Sequence, residues 1–276
     1  GFPRAPIHTL IHNRRAVSDT INSHAVSTSW LQHAPHVAAW YRYFLPLMPS
    51  AIERMAAADA DLLISTSHCV AKGLRVRPGG RHLCYCFTPM RYAWTFYGEY
   101  FGRNQLKNAL LNPALAHLRD WDRRVSERVD VFLTLSRHVQ RRIKEFYDRD
   151  ADVVYPPVNV DYFTPGAAGH DGFDLLVSAL VPYKRVDLAV SAYTRLGYPL
   201  KVVGAGTETG ALRRGAGPNV EFCGRLPDER VRELYRRCRL LVFPGEEDFG
   251  IVPLEAQACG KPAVAFRRGG TLETIE

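Results

Sequence analysis

Glu247 and Glu255 stand eight residues apart in the stretch 243–266, Phe-Pro-Gly-Glu-Glu-Asp-Phe-Gly-Ile-Val-Pro-Leu-Glu-Ala-Gln-Ala-Cys-Gly-Lys-Pro-Ala-Val-Ala-Phe. Upstream, Leu240 to Phe243 is an apolar run of strand length, stopped by Pro244-Gly245. A helix is expected from about Gly250 to Cys259, closed by Gly260 in a left-handed cap and followed by Pro262. The N–H groups of Gly250, Ile251 and Val252 then become orphan donors at a positive helix end, which favours an anion. One carboxylate before that end and one on the helix could hold hydroxyl pairs on either side of a phosphate. The plain alternative for Glu246, Glu247 and Asp248 is a solvated acidic loop.

Residues suited to the same chemistry follow other strands. Tyr183-Lys184-Arg185 comes just after the apolar run Leu175 to Ala179, which puts Lys184 and Arg185 at the mouth of the same sheet; an ordinary surface lysine is the alternative. Gly204-Ala205-Gly206-Thr-Glu-Thr209 ends one strand and opens a helix, either as a close backbone approach to a nucleotide or as a structural turn. It is not a dinucleotide fingerprint, because the third glycine falls at Thr209 and the motif lies mid-domain. Phe222-Cys223-Gly224-Arg225-Leu226 follows a further strand. In the first half, His68 and the segment Phe87 to Arg91 come at strand ends, where ligands gather in open α/β sheets, whereas His82 begins its strand.

A chain of 276 residues has room for two domains and a sizeable core. Its net charge of +8 favours anionic partners, with a solvated basic surface as the plain alternative. A nucleic-acid binder would need exposed aromatics among those basic residues, and most aromatics here fall in apolar patterns. No apolar run approaches the roughly 20 residues of a membrane span. The six cysteines are scattered and include no Cys-x2-Cys pair, so they read as reduced core residues.

Along the chain, strands are expected at Ile7 to Ile11, His24 to Thr28, Leu62 to Ser65, His82 to Cys86, Asp130 to Leu135 and Val153 to Tyr155. Two short helices fit Trp30 to Leu47, a capping box at Ser50 and Glu53 opens another, Asn112-Pro113 starts a helix to about Arg128, and Ser136 caps a basic helix to Tyr147. The Pro- and Gly-rich stretch after Pro156 is the linker. Beyond it, apolar strands at Leu175 to Ala179, Leu200 to Val203, Val220 to Cys223, Leu240 to Phe243 and Ala263 to Phe266 alternate with helix patterns, which implies a parallel sheet.

The Glu-x7-Glu spacing inside Glu-Asp-Phe-Gly-Ile-Val-Pro-Leu-Glu-Ala, with Gly-Lys-Pro-Ala-Val-Ala and Gly269-Gly270-Thr-Leu-Glu273-Thr after it, resembles the donor-binding half of retaining glycosyltransferases of family 4. Tyr85-Cys86-Phe87-Thr88-Pro89-Met90-Arg91-Tyr92 is similar to a stretch of the mannosyltransferase-like subgroup. The resemblance covers nearly all of the chain. It implies an α/β protein of GT-B fold, two Rossmann-like domains with parallel sheets facing across a cleft. Residues 1–157 would be the acceptor-side domain, lacking its first strand and glycine-rich loop, and 158–276 the donor-binding domain, lacking its closing helices.

The same resemblance implies roles. Glu247 would hydrogen-bond the donor sugar and Glu255 the ribose hydroxyls, while Lys184 and the 250–252 amides neutralise the leaving diphosphate. Arg185, Gly204, Gly206, Arg225 and Phe249 would complete the donor site, and His68, Phe87 and Arg91 would lie on the acceptor side. Two positions depart from the pattern: Phe87 stands where many relatives carry a histidine, and Ala179 where they carry an arginine. The implied reaction transfers a hexose, mannose from GDP-mannose, with retention, to a glycan or lipid-linked acceptor in cell-surface polysaccharide synthesis. No cofactor, metal or nucleic acid is implied. The implied location is the cytoplasm, with the basic helices Pro113 to Arg128 and Arg137 to Lys144 as a peripheral contact to the inner face of the membrane. The competing reading is a non-catalytic nucleotide- or glycan-binding module.

Overall fold

The chain divides into two compact units, Gly1–Thr134 with Val139–Val153, and Leu135–His138 with Val154–Glu276. The computed structural model describes residues 2–95 and 105–275, apart from the side chains of residues 38, 39, 42, 92 and 105–111.

In the first unit β1 (Ile7–Thr9) and β2 (Val26–Thr28) form a parallel pair. Separately, β3 (Leu62–Ser67), β4 (Arg81–Cys86), β5 (Val131–Thr134) and β6 (Asp152–Val153) form a parallel sheet in the order β3-β4-β5-β6. The β3–β4 register runs from Leu62 opposite Arg81 to Ser67 opposite Cys86, so the ends of both strands open at one edge. The Gln105–Ser126 helix packs Trp121 and Val125 against Leu31, Ile52, Leu63 and Met90. The Arg137–Tyr147 helix buries Val139, Ile143 and Tyr147, a stripe at a four-residue spacing.

Three expectations in this unit are corrected. The helix near Ser50 runs Met48–Glu53 and ends where the capping box should begin it, because Pro49 sets its first turn and Met48, Pro49, Ala51 and Ile52 are buried. Asn112-Pro113 does not start the long helix, which passes through Pro113. That proline is exposed, and the buried stripe of Leu115, Leu118, Trp121 and Val125 anchors the part of the helix that follows it. The segment 30–47 holds one short α-helix, Val37–Trp40, between 3-10 turns at Trp30–His33 and Tyr41–Leu47.

The second unit contains β7 (Asp174–Val177), β8 (Leu200–Val203), β9 (Val220–Gly224), β10 (Leu241–Phe243) and β11 (Ala263–Ala265), all five strands expected there. Its sheet has the order β11-β10-β7-β8-β9, and every pairing is parallel. Successive residues of β7 enter different cores. Leu176 packs with Val186, Val190 and Leu212 under the Val186–Leu196 and Thr209–Arg214 helices. Leu175 packs with Tyr235, Leu241 and Ala256 under the Asp228–Arg237 and Ile251–Ala258 helices. This is a doubly wound sheet covered on both faces, and its strand order reverses between β7 and β10. Among the described residues no helix is long and apolar enough to cross a membrane.

Candidate functional site

The crevice at the carboxyl ends of β7 and β10 is where a doubly wound sheet holds its ligand. After β7 the chain makes a 3-10 turn at Pro182–Lys184; after β10 it makes the acidic loop 244–249 and enters the Ile251–Ala258 helix. Gly245 lets the two segments meet, since a Cβ there would lie 2.8 Å from the Lys184 carbonyl oxygen. Across this contact Lys184 Nζ and Glu247 Oε1 form an ion pair whose side chains are 18% and 12% exposed, so solvent screens it little.

The backbone of the acidic loop is pinned. The Gly270 N–H donates to the Glu247 carbonyl at 2.7 Å, and Gly269 has φ +79°. A Cβ at Gly270 would come within 2.3 Å of the Asp248 carbonyl oxygen. Gly270→Ala is therefore expected to displace the loop and lower stability by about 1–3 kcal/mol. Denaturant unfolding checks this; unchanged stability would show that the loop yields to the added methyl.

Side-chain contacts hold the loop from its other side. Arg268 Nε lies 3.2 Å from Glu246, with His138 Nε2 at 3.6 Å, and the Phe249 ring stacks on Tyr155 at 5.8 Å. The Ser136 hydroxyl, ahead of the basic helix, donates to the Asp248 carbonyl at 2.5 Å. The Glu273 carboxylate accepts the N–H groups of Arg137 and His138 at 2.9 and 3.0 Å and the Tyr155 hydroxyl at 3.0 Å. A carboxylate suits the positive end of a helix.

Gly250 caps the Ile251–Ala258 helix with φ +93°. Pro253 occupies the first turn without an N–H, so the donors there belong to Gly250, Ile251 and Val252. Glu255, half-buried, accepts from the Tyr235 hydroxyl at 2.9 Å. Burial raises its pKa, with Asp228 adding to the effect and the Tyr235 hydrogen bond opposing it. Gly260, at φ +77°, closes this segment as expected.

The other expected donor residues are placed as follows. Arg185 has a left-handed backbone at φ +51°, and its guanidinium lies on the Asp187 carboxylate through two contacts of 3.2 Å. Ala179, where a second cation was looked for, is exposed. The close approach permitted by Gly204 and Gly206 is to the end of β7, because a Cβ would fall 1.8 Å from the Ser178 oxygen and 2.1 Å from the Leu180 oxygen. The structural turn accounts for both glycines. Arg225 is exposed beyond β9.

In the first unit the Phe87 N–H donates to the Ser67 carbonyl at 2.8 Å, so His68 and Phe87 sit side by side at the ends of β3 and β4. The pKa of His68 is lowered by desolvation and by the Arg91 cation. His82 is at the opposite end of β4, hydrogen-bonded to Ser65 at 2.8 Å, and desolvation lowers its pKa to about 4.

Sequence reasoning missed a buried cluster in this unit. Lys72 and Asp122 pair there, and Asp122 also accepts the Trp94 indole N–H at 2.9 Å and the Tyr147 hydroxyl at 2.6 Å. Among the described residues no group of three or more His, Cys, Asp or Glu is placed to hold a metal.

Residues 165–276 match the family model of group 1 glycosyl transferases. An uncharacterized glycosyltransferase of Methanocaldococcus jannaschii is 30% identical over 151 residues, 53% of this chain and 42% of that protein. A GDP-mannose-dependent monoacylated alpha-(1-6)-phosphatidylinositol monomannoside mannosyltransferase of Corynebacterium glutamicum is 30% identical over 184 residues, 55% of this chain and 48% of that protein. The chain thus spans less than half the length of these relatives. Among solved structures, the sucrose-phosphate synthase of Thermosynechococcus elongatus superposes with a TM-score of 0.69 at 16% identity, covering 99% of this chain and 84% of that one. The fold is that of GT-B proteins, with its Rossmann-like units described above, and the match to the group 1 family covers the unit that carries Lys184, Glu247 and Glu255.

Proposed function

We propose that the chain is the nucleotide-sugar-binding and transfer machinery of a retaining glycosyltransferase. The observation that carries this reading is the apposition of Lys184 and Glu247 at the β7/β10 crevice, beside the positive end of the Ile251–Ala258 helix. In this reading Lys184 and the amides of Gly250, Ile251 and Val252 receive the diphosphate, Glu247 holds a sugar hydroxyl, and Glu255 holds the ribose. The bond from the anomeric carbon to the diphosphate oxygen breaks, and the acceptor hydroxyl oxygen bonds to that carbon on the same face. Its proton leaves on the diphosphate. Catalysis is then chiefly electrostatic stabilisation of the departing anion, which needs no metal. Similarity to the GDP-mannose-dependent enzyme of Corynebacterium glutamicum favours mannose from GDP-mannose and a lipid-linked or glycan acceptor.

The test is a thermal-unfolding series with GDP, UDP, ADP and their sugar conjugates, with Glu255→Ala alongside. A ligand at about 100 times its Kd adds about 2.7 kcal/mol and moves the transition by several degrees. A shift with one base, reduced in the variant, is expected. No shift with any of them would sink the reading. A second reading, binding without transfer, draws on exposed Ala179 and on Phe87. Nucleotide binding with neither transfer nor donor hydrolysis would favour it.

A further inference from the structure

Tyr235 lies in the Asp228–Arg237 helix, which precedes β10, and Glu255 in the Ile251–Ala258 helix, which follows it. The tyrosine is fully buried, with Phe163 edge-on at 6.0 Å, and its hydroxyl donates to Glu255 Oε2 at 2.9 Å. Among the described residues no other hydrogen-bond donor reaches this carboxylate, so one oxygen is fixed while Oε1 accepts from none. Packing alone does not call for a tyrosine here, since phenylalanine would fill nearly the same volume without burying a hydroxyl.

We infer that Tyr235 is a positioning residue. It locks the Glu255 carboxylate so that its second oxygen accepts the ribose hydroxyls of a nucleoside diphosphate, an inference that rests on the role given to Glu255 above. The charged and titratable groups around Glu255 are Tyr235 and Asp228 from the neighbouring helix and Cys259 one turn along its own, with Arg232, Glu233 and Arg236 beyond Cys259. Burial and Asp228 favour the neutral acid, and the Tyr235 hydroxyl favours the carboxylate. The ionised form prevails above the raised pKa, so the grip on ribose is lost as pH falls through it. Without the hydroxyl, that loss comes at a higher pH.

The experiment is calorimetric titration of the unaltered chain, Tyr235→Phe, Glu255→Gln and the double variant. The ligands are GDP, UDP and ADP, with the 2′,3′-dideoxy form of whichever binds, from acid to neutral pH. Tyr235→Phe is expected to weaken the ribose form about tenfold, leave the dideoxy form unchanged and move the acid limb of binding upward. On the Glu255→Gln background it is expected to change nothing. Equal losses for ribose and dideoxy forms, or an undiminished loss beside Glu255→Gln, would reduce Tyr235 to a core residue and overturn the inference while leaving the site reading intact. Failure of the unaltered chain to bind any nucleoside diphosphate would overturn both. If Tyr235→Phe does not fold, Glu255→Asp draws the carboxylate back from the hydroxyl and supplies the comparison.

Discussion

Lys184→Ala is expected to weaken nucleoside diphosphate binding roughly a hundredfold, while Glu247→Gln leaves it as tight or tighter and removes sugar transfer. The two effects come from one ion pair. Both side chains are mostly buried, so neither charge is relieved by water when the other is removed. Lys184→Ala takes away the cation and leaves the Glu247 carboxylate facing the same crevice as the diphosphate, adding repulsion to the lost attraction. Glu247→Gln does the reverse, because an ammonium no longer neutralised by its neighbour is available to phosphate oxygens. The double variant should therefore bind more tightly than Lys184→Ala alone. Titration with GDP and UDP, paired with a transfer assay, measures each arm. A Glu247→Gln protein that lost nucleotide affinity as severely as Lys184→Ala would show that Glu247 does not compete for Lys184.

How much of this site could be read in advance depends on how local each part is. The strand, loop and helix from Leu240 to Gly260 carry their own signals. Pro244-Gly245 ends the strand, and Gly260 takes the positive φ its helix cap requires. The Lys184–Glu247 contact is of another kind, since it joins residues 63 positions apart and depends on β7 lying beside β10. The alternation of strands and helices predicts a parallel sheet but not the order in which its strands lie. The reverse error occurred at Ser50 and Asn112. Each has the local chemistry of a cap, and in each case the helix begins upstream of it, at Met48 and at Gln105. Tyr235 was within reach, since Val231, Leu234, Tyr235 and Cys238 make an apolar stripe at helical spacing. Its partner on another helix was not.

Asp122→Ala is expected to destabilise the first unit by about 3–5 kcal/mol, the largest stability effect foreseen for this chain. Lys72 and Asp122 have side-chain exposures of 2% and 0%, and the Lys72 ammonium also donates to the Cys69 carbonyl at 3.2 Å and lies 5.0 Å from the Tyr147 ring centre. Removing the carboxylate leaves a buried ammonium uncompensated and strips the acceptor from the Trp94 indole and the Tyr147 hydroxyl. Leu118, Trp121 and Val125 place Asp122 on the buried stripe of its helix, the one sign in the sequence that this aspartate is interior. Replacing both charges by apolar residues, as in Lys72→Met with Asp122→Leu, should recover part of the loss because no unpaired ion remains. The pH dependence has a definite sign. In the unaltered chain desolvation lowers the Lys72 pKa, but Asp122, with Cys86 and Cys84, outweighs it and holds the pKa above the ordinary lysine value, so its stabilisation is present through neutral pH and is lost only as pH rises through that raised pKa. In Asp122→Ala the largest opposing influence on desolvation is gone and the Lys72 pKa falls, so the variant gains stability as pH rises from neutral toward the ordinary lysine value. Denaturant unfolding followed by tryptophan fluorescence at neutral and alkaline pH checks both points, since Trp94 and Trp121 lie in this core. A loss below about 1 kcal/mol, the range of an exposed pair, or a variant whose deficit grew with pH would mean that the Lys72–Asp122 pair is open to water.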